Sequence, residues 1–148
     1  MNPYHGLYLE DLTIGMKDEL AKTVTETDIT LFAGITGDFN PVHINEEFAS
    51  QTNFGQRIAH GMLAGGFISA VLGTRLPGPG AIYLDQSLSF KAPVHIGDTV
   101  VASAEVSEID PRRKKVTLIT ECRVKDKVVA TGQAIVMVSK RPKVVDTE

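Results

Sequence analysis

Residues 36–76 read TGDFNPVHINEEFASQTNFGQRIAHGMLAGGFISAVLGTRL, and this stretch decides the fold. Its second half, from about residue 60 to residue 76, has the length of a helix, and every residue from 62 to 72 is apolar or small. A helix without a polar face has to be buried on all sides. We therefore expect the rest of the chain to be wrapped around this helix.

Small residues form a stripe along the predicted helix. Gly65, Ser69 and Gly73 recur at every fourth position, which places them on one helical face. Glycine inside a helix costs about 1 kcal/mol relative to alanine, so these glycines need a compensating reason. We expect a sheet or a ligand to approach the helix backbone closely.

The first half of the stretch is a polar loop that contains Asp38, Asn40 and His43. Because Pro41 disfavours a helical backbone at Asn40, we expect Asp38 and His43 on an irregular turn and not on one helix. A carboxylate and an imidazole together can accept and deliver a proton near neutral pH. This pair is the candidate for acid–base chemistry.

The composition is that of one globular domain. A chain of 148 residues suits a single core over residues 1–148, with residues 141–148 expected as a loose polar tail. The net charge of −3 argues against nucleic acid as a partner. Cys122 is the only cysteine, which favours a reducing, cytoplasmic location, and its apolar strand neighbours indicate a core residue. The apolar helix is marginal in length for a bilayer, so we expect no membrane partner.

Two short helices and a weak strand precede the apolar helix. Residues 16–24 are a strand candidate with poor alternation. Thr27 is a candidate N-cap for a helix over residues 28–35, and Asn45 is one for a helix over residues 46–51.

The period of the apolar residues changes from helical to alternating after residue 80. Strands are predicted over residues 81–94, 99–109, 115–124 and 128–140, joined by short turns that indicate antiparallel neighbours. In the first of these strands, the predicted inward face consists of Ile82, Leu84, Leu88 and Phe90.

These elements predict an α+β fold in which a curved antiparallel β-sheet is wrapped around a long central apolar helix, the hot-dog fold. The last strand is apolar on both faces. One face would meet the helix and the other a second chain, so we expect a homodimer or a higher homo-oligomer.

Three motifs resemble those of MaoC-like (R)-specific enoyl-CoA hydratases of the single hot-dog bacterial type. They lie at residues 37–43, at residues 58–63 and at residues 88–98. The Asp-x-Asn-Pro-x-His element becomes specific when a His-Gly-Met turn follows it, as it does here. The sequence departs from the pattern at Asn45, where relatives often carry aspartate, although either residue caps a helix.

The resemblance implies reversible addition of water to trans-2-enoyl-CoA, giving (3R)-hydroxyacyl-CoA. It implies that Asp38 and His43 hold and activate the water, and that the backbone N–H of Gly61 binds the thioester carbonyl. This agrees with the chemistry, because hydration needs a base, an acid and a donor for an enolate-like oxygen. A helix N-terminus offers free N–H groups and positive potential, and glycine permits close approach.

Further residues receive supporting roles. The resemblance implies that Asn40 and Ser69 line the site. Leu72 and Ile135 are candidate walls of an acyl pocket, with plain core packing as an equal alternative. No metal or redox cofactor is expected, since coenzyme A is part of the substrate and one histidine, one aspartate and one asparagine fall short of the ligand set of a structural zinc.

Other interpretations remain open at this point. Asp38 and His43 could form a purely structural turn, and His60 is interpreted as a residue that hydrogen-bonds locally at the helix start. The basic run at residues 112–115 is either a solvated hairpin tip or, with Lys91, a dock for coenzyme A phosphates. Competing functions are an acyl-CoA thioesterase, a 3-hydroxyacyl-carrier-protein dehydratase and a non-catalytic acyl-CoA-binding module.

Overall fold

The computed structural model describes residues 2–143 and contains a five-stranded antiparallel sheet with one long helix packed against it. The strand order in the sheet is β1-β3-β4-β5-β2. After a 3-10 turn at Leu9–Asp11, the elements are β1 Lys17–Thr23, α1 Glu26–Thr36, α2 Pro41–Ile44, α3 Glu46–Ser50, α4 Gly61–Thr74, β2 Ile82–Phe90, β3 Thr99–Asp110, β4 Lys115–Val124 and β5 Lys127–Met137.

The sheet order corrects one expectation about neighbouring strands. Antiparallel pairing across short turns is confirmed for β3 with β4 and for β4 with β5. It is wrong for β2 and β3, because both edges of β3 are occupied, one by β4 and the other by the weak first strand, β1. Residues 91–98 therefore connect two strands that are not adjacent, and β2 pairs with β5 at the edge of the sheet.

The long helix is buried on one side only. α4 is slightly shorter than the predicted residues 60–76, and Ile68 and Val71 lie at its fully buried contact with the sheet. The expectation of burial all round is wrong for a single protomer, because the sheet covers only this side. The opposite face is exposed and contains Met62, Gly66, Ser69 and Gly73.

The edge strand β2 leaves apolar side chains uncovered. Ile82, Leu84 and Phe90 are 57%, 42% and 52% exposed, although their alternation predicts an inward face. Only Leu88 of this set packs partly against the core. The exposed face of α4 and the edge strand β2 together form a large apolar surface on the protomer.

Local capping explains the short helices before α4. Thr25, and not the predicted Thr27, is the N-cap of α1, because the Thr25 hydroxyl and the Asp28 carboxylate form a reciprocal capping box. Asn45 is the N-cap of α3, as predicted. The loop expected to be irregular contains a single helical turn, α2, which Asn40 caps and Pro41 begins.

The C-terminal segment starts in contact with the N-terminal turn. The Arg141 N–H donates to the Glu10 carboxylate at 2.9 Å, and its guanidinium pairs with Asp11 and lies over the Tyr8 ring. Residues 144–148 of the predicted loose tail lie outside the described residues. Within residues 2–143, no helix has the length and apolar character needed to cross a membrane.

Candidate active site

His43 lies on α2 and is 8% exposed. Its Nδ1–H donates to the carbonyl oxygen of Ile58 at 2.7 Å, which fixes the ring and leaves a lone pair on Nε2. Burial is the largest effect on the pKa of His43 and lowers it; the hydrogen bond to Ile58 opposes this, nearby His60 lowers the pKa further, and Asp38 raises it slightly, so that the net shift is downward. His43 is therefore neutral at neutral pH and able to accept a proton on Nε2.

Asp38 is brought to the same place by the loop between α1 and α2. Its carboxylate accepts the N–H of Asn40 at 3.2 Å, which closes a tight turn. The Asp38 carboxylate, a His43 ring nitrogen and a His60 ring nitrogen all lie within 4.8 Å of one another. The predicted pair thus converges, and a second histidine joins it.

The local interpretation of His60 is wrong. The ring is 3% exposed, and its Nε2–H donates to the backbone carbonyl of Asp38 at 3.0 Å, across 22 positions of the chain. It also packs on the His43 ring, with 4.0 Å between ring centroids. The sequence carried one signal of this role, the place of His60 immediately before Gly61 in the His-Gly-Met turn.

Gly61 is the first residue of α4 and lies in the wall of a cavity of about 320 Å³ that His43 and His60 also line. The His60 side chain makes no cap bond to the helix. The first N–H groups of a helix have no acceptor within the helix, so this end presents donors and positive potential near the dyad. A Cβ added at Gly61 would lie 3.1 Å from the Phe90 ring, so glycine keeps this space open.

The remainder of the cavity is mostly apolar. It extends from the histidines between α4 and the sheet, and the exposed residue Lys91 lies at its wall. A narrow apolar space with a few polar groups at one end is typical of a site for an acyl chain. Its apolar walls include Val24, Leu63, Phe67, Val100 and Val129.

The structure does not bring every predicted site residue to this cavity. Ser69 lines a separate open groove of about 450 Å³ between α4 and β2. The Asn40 side chain accepts the N–H of Val42 and acts as a helix cap. Leu72 is 2% exposed in the core, which favours the core-packing alternative, and Ile135 is half-buried on β5 between β2 and β4.

A metal ion at this cluster would need a lone pair from both rings. His43 offers one on Nε2, whereas Nε2 of His60 carries the proton that it donates to Asp38. Nδ1 of His60 is buried and has no partner in the described part of the chain. With the proton on Nε2, this Nδ1 atom carries the lone pair of the His60 ring, and the absence of a metal at the cluster remains a prediction.

Comparison with known proteins identifies the family. The model described as the MaoC like domain matches residues 12–135. The chain belongs to the MaoC-like family. It is 60% identical to the (R)-specific enoyl-CoA hydratase of Rhodospirillum rubrum, over 90% of this chain and 93% of that protein. It is 53% identical to the 3-hydroxybutyryl-CoA dehydratase of Methylorubrum extorquens, over 91% of this chain and 86% of that protein.

A solved structure of the same family gives the same architecture. The unliganded R-hydratase PhaJ1 of Pseudomonas aeruginosa superposes with a TM-score of 0.87 at 38% identity, covering 97% of this chain and 95% of the other. The predicted α+β hot-dog fold and the MaoC-like resemblance are confirmed.

Proposed function

We propose that this protein is an (R)-specific enoyl-CoA hydratase that adds water reversibly to trans-2-enoyl-CoA and forms (3R)-hydroxyacyl-CoA. The observation that carries the proposal is the convergence of Asp38 with His43, which lines an apolar cavity together with Gly61 at the uncapped start of α4. The activities of the relatives at 60% and 53% identity, an (R)-specific enoyl-CoA hydratase and a 3-hydroxybutyryl-CoA dehydratase, support it.

Asp38 and His43 would carry out the proton transfers. Water held between them adds its oxygen to C3 of the substrate and gives up a proton to Nε2 of His43, the nitrogen that the Ile58 bond leaves free. The pair then returns a proton to C2, so that the elements of water are added across the double bond. Positioned acid–base groups typically contribute about 10²–10⁴-fold to the rate.

The start of α4 would stabilise the charge that forms on the substrate. Attack at C3 moves electron density onto the thioester oxygen, and the Gly61 N–H would donate to that oxygen. The helix dipole adds positive potential at the same point. Removing one such donor typically costs about 10²–10³-fold in rate.

Strand register favours Lys91 over the basic hairpin tip as the contact for coenzyme A phosphates. Lys115, at the tip, pairs with Met137, which pairs with Ile82 at the first end of β2. Lys91 follows Phe90 at the opposite end and lines the cavity. At about 3.3 Å per residue, the two ends of β2 are about 26 Å apart. In one protomer the basic tip therefore fits better as a solvated turn.

A homodimer would cover the apolar surface formed by β2 and the exposed face of α4. The edge strand leaves unpaired backbone groups together with Ile82, Leu84 and Phe90, an arrangement suited to pairing with another chain. The groove that contains Ser69 lies on the same surface.

A reducing cytoplasmic location fits the single buried cysteine, Cys122, whose pKa burial raises to about 12.

The test is to mix the protein with enoyl-CoAs of increasing length, follow the ultraviolet band of the conjugated thioester and determine the handedness of the product. Loss of the band with formation of the (3R) alcohol is expected. Release of free thiol would indicate a thioesterase instead. Turnover only with carrier-protein thioesters would indicate a dehydratase of that class, and tight binding with no loss of the band would indicate a binding module.

A further inference from the structure

His60 is a buried polar side chain in contact with the proposed catalytic pair, and the proposed mechanism leaves it without a role. It occupies the N-cap position of α4, where a side chain usually accepts an N–H from the first helical turn, yet it makes no such bond. Its ring is instead turned away from the helix and almost fully buried. The ring is therefore held by groups outside α4.

One of these groups is the main chain of Asp38. The donor on His60 is Nε2, since the carbonyl oxygen of Asp38 at 3.0 Å can only accept. His60 is bonded through its peptide to Gly61. A single side chain thus connects the loop that carries the carboxylate to the residue whose N–H would hold the substrate oxygen.

The second group is the ring of His43. The His43 ring is fixed at its edge by the bond from Nδ1 to Ile58 and is supported on its face by His60, at 4.0 Å between centroids with 32° between planes. The Phe32 ring packs on the His60 ring, with 4.7 Å between ring centroids. Nδ1 of His60 is buried without a partner among residues 2–143, which costs free energy. The placement of the ring therefore serves its neighbours more than its own hydrogen bonding.

We propose that His60 is a positioning residue that fixes the Asp38 loop through Nε2–H, supports the His43 ring by direct contact and joins both to the Gly61 amide. The inference rests on the proposed hydration. A displacement of about 1 Å at reacting groups can lower a rate about 10²-fold. Loss of His60 therefore lowers kcat, while KM, which reflects the acyl cavity and the coenzyme A contact, changes little.

Two variants separate the hydrogen bond from the ring contact. His60→Phe keeps a ring against His43 and removes the N–H, whereas His60→Gln keeps an N–H donor of similar reach. With crotonyl-CoA, kcat of His60→Phe is expected to fall about 10- to 100-fold with KM within about threefold. His60→Gln is expected to exceed His60→Phe at least about fivefold in kcat. Wild-type kcat in His60→Phe, or an effect confined to KM, would overturn the inference.

The chain offers a matched control in His5. Its ring also bonds to a backbone carbonyl, that of Gly6 at 3.0 Å, and stacks on an aromatic ring, Tyr8, at 4.1 Å between centroids. His5 lies beside Gly80, in the segment that follows the C-terminal end of α4, whereas His60 lies at the N-terminal end of that helix. His5→Phe is expected to keep wild-type kcat. An equal loss in His5→Phe would mean that replacing any stacked, carbonyl-bonded histidine by Phe disturbs the protein, which would also overturn the inference.

The readouts separate this inference from the proposed function. If wild-type protein fails to hydrate any enoyl-CoA, the proposed function fails, and ¹⁵N NMR of the imidazole rings still decides the hydrogen bond. A proton on Nε2 of His60 supports it, and a proton on Nδ1 refutes it. If wild-type protein is active and His60→Phe is equally active, only the positioning role fails.

Discussion

Replacement of Gly61 by alanine tests the start of α4 as the donor to the substrate. The added Cβ would lie 3.1–3.3 Å from three atoms of the Phe90 ring, a few tenths of an ångström closer than ordinary contact. The ring is 52% exposed and can shift outward, so the packing cost is below about 1 kcal/mol. Alanine also gains up to about 1 kcal/mol in helix propensity, so stability stays within about 1 kcal/mol of wild type.

The effect of Gly61→Ala on activity is expected to be much larger. The methyl group and the displaced Phe90 ring narrow the approach of the thioester to the Gly61 N–H. Alanine keeps its N–H, but a thioester oxygen held out of its reach loses the same stabilisation, typically about 10²–10³-fold in rate, so we expect kcat for crotonyl-CoA hydration to fall about 100-fold. A change of 1 kcal/mol in the free energy of unfolding moves the Tm of a chain of this size by about 2–4 °C, so the Tm of Gly61→Ala is expected to stay within that range of wild type.

The assay is initial-rate loss of the enoyl-thioester band, with Tm measured on the same samples. Gly34→Ala is the control, because Gly34 is an exposed helical residue of α1, outside the surface proposed for the dimer, and an added Cβ there has no atom within 4 Å. It is expected to keep wild-type kcat and to raise Tm slightly. Alanine keeps the backbone N–H, so a Gly61→Ala enzyme with kcat within about threefold of wild type would refute the close approach of the thioester to this amide.

Three further outcomes follow from the geometry. Because the pKa of His43 is lowered from 6.5, kcat/KM is expected to fall on the acid side with a midpoint below 6.5, and a midpoint above 6.5 would contradict the assignment. As the pH falls, the unfolded chain binds this proton before the folded protein does, so the free energy of unfolding also declines below about pH 6.5. Gly132→Ala places a Cβ 1.8 Å from the Ser87 carbonyl oxygen, so thermal denaturation should show a loss of at least about 3 kcal/mol, and an unchanged Tm would mean that the strands can separate there. Lys91→Glu should raise KM for coenzyme A esters about tenfold while Arg113→Glu leaves it unchanged, and the reverse pattern would place the phosphates at the hairpin tip.

Local patterns in the sequence predicted much of the fold. The bounds of β4 are those that the alternation predicts, residues 115–124. The apolar run predicts α4 to within two residues at each end. Thr25 and Asp28 lie three positions apart, which is the spacing of a capping box, and this spacing marks the start of α1 in the sequence.

Long-range contacts account for the errors. The position of β2 at the sheet edge depends on pairing of β3 with β1, strands separated by 75 positions between Thr23 and Thr99 that no periodicity reports. A register shift between Tyr83 and Asp85 breaks the predicted alternation, so that Ile82, paired with Met137, lies on the opposite face of the sheet from Leu88, paired with Gly132. This chain also leaves the side chains of Ile82 and Leu84 exposed. Alternation cannot distinguish burial within a chain from burial against another chain.

The candidate site was predicted in its parts and not in its connections. The motif placed Asp38, His43 and Gly61 in one site; in the structure the Asp38 carboxylate lies within 4.8 Å of a His43 ring nitrogen, and His43 and Gly61 line one cavity. Their catalytic roles stay predictions. His60 was interpreted as a local residue because a histidine at a helix start usually bonds nearby. Its bond to Asp38 requires the loop after α1 to fold back over the start of α4, which is a tertiary contact.

The most direct measurement is the rate of crotonyl-CoA hydration by wild-type protein, Asp38→Asn and His43→Ala, each checked for native circular dichroism and Tm. Hydration by the wild-type protein to the (3R) alcohol, with a loss of at least about 10²-fold in both folded variants, is the predicted result. Near-wild-type turnover by either folded variant would contradict the claim that this carboxylate and this imidazole perform the proton transfers.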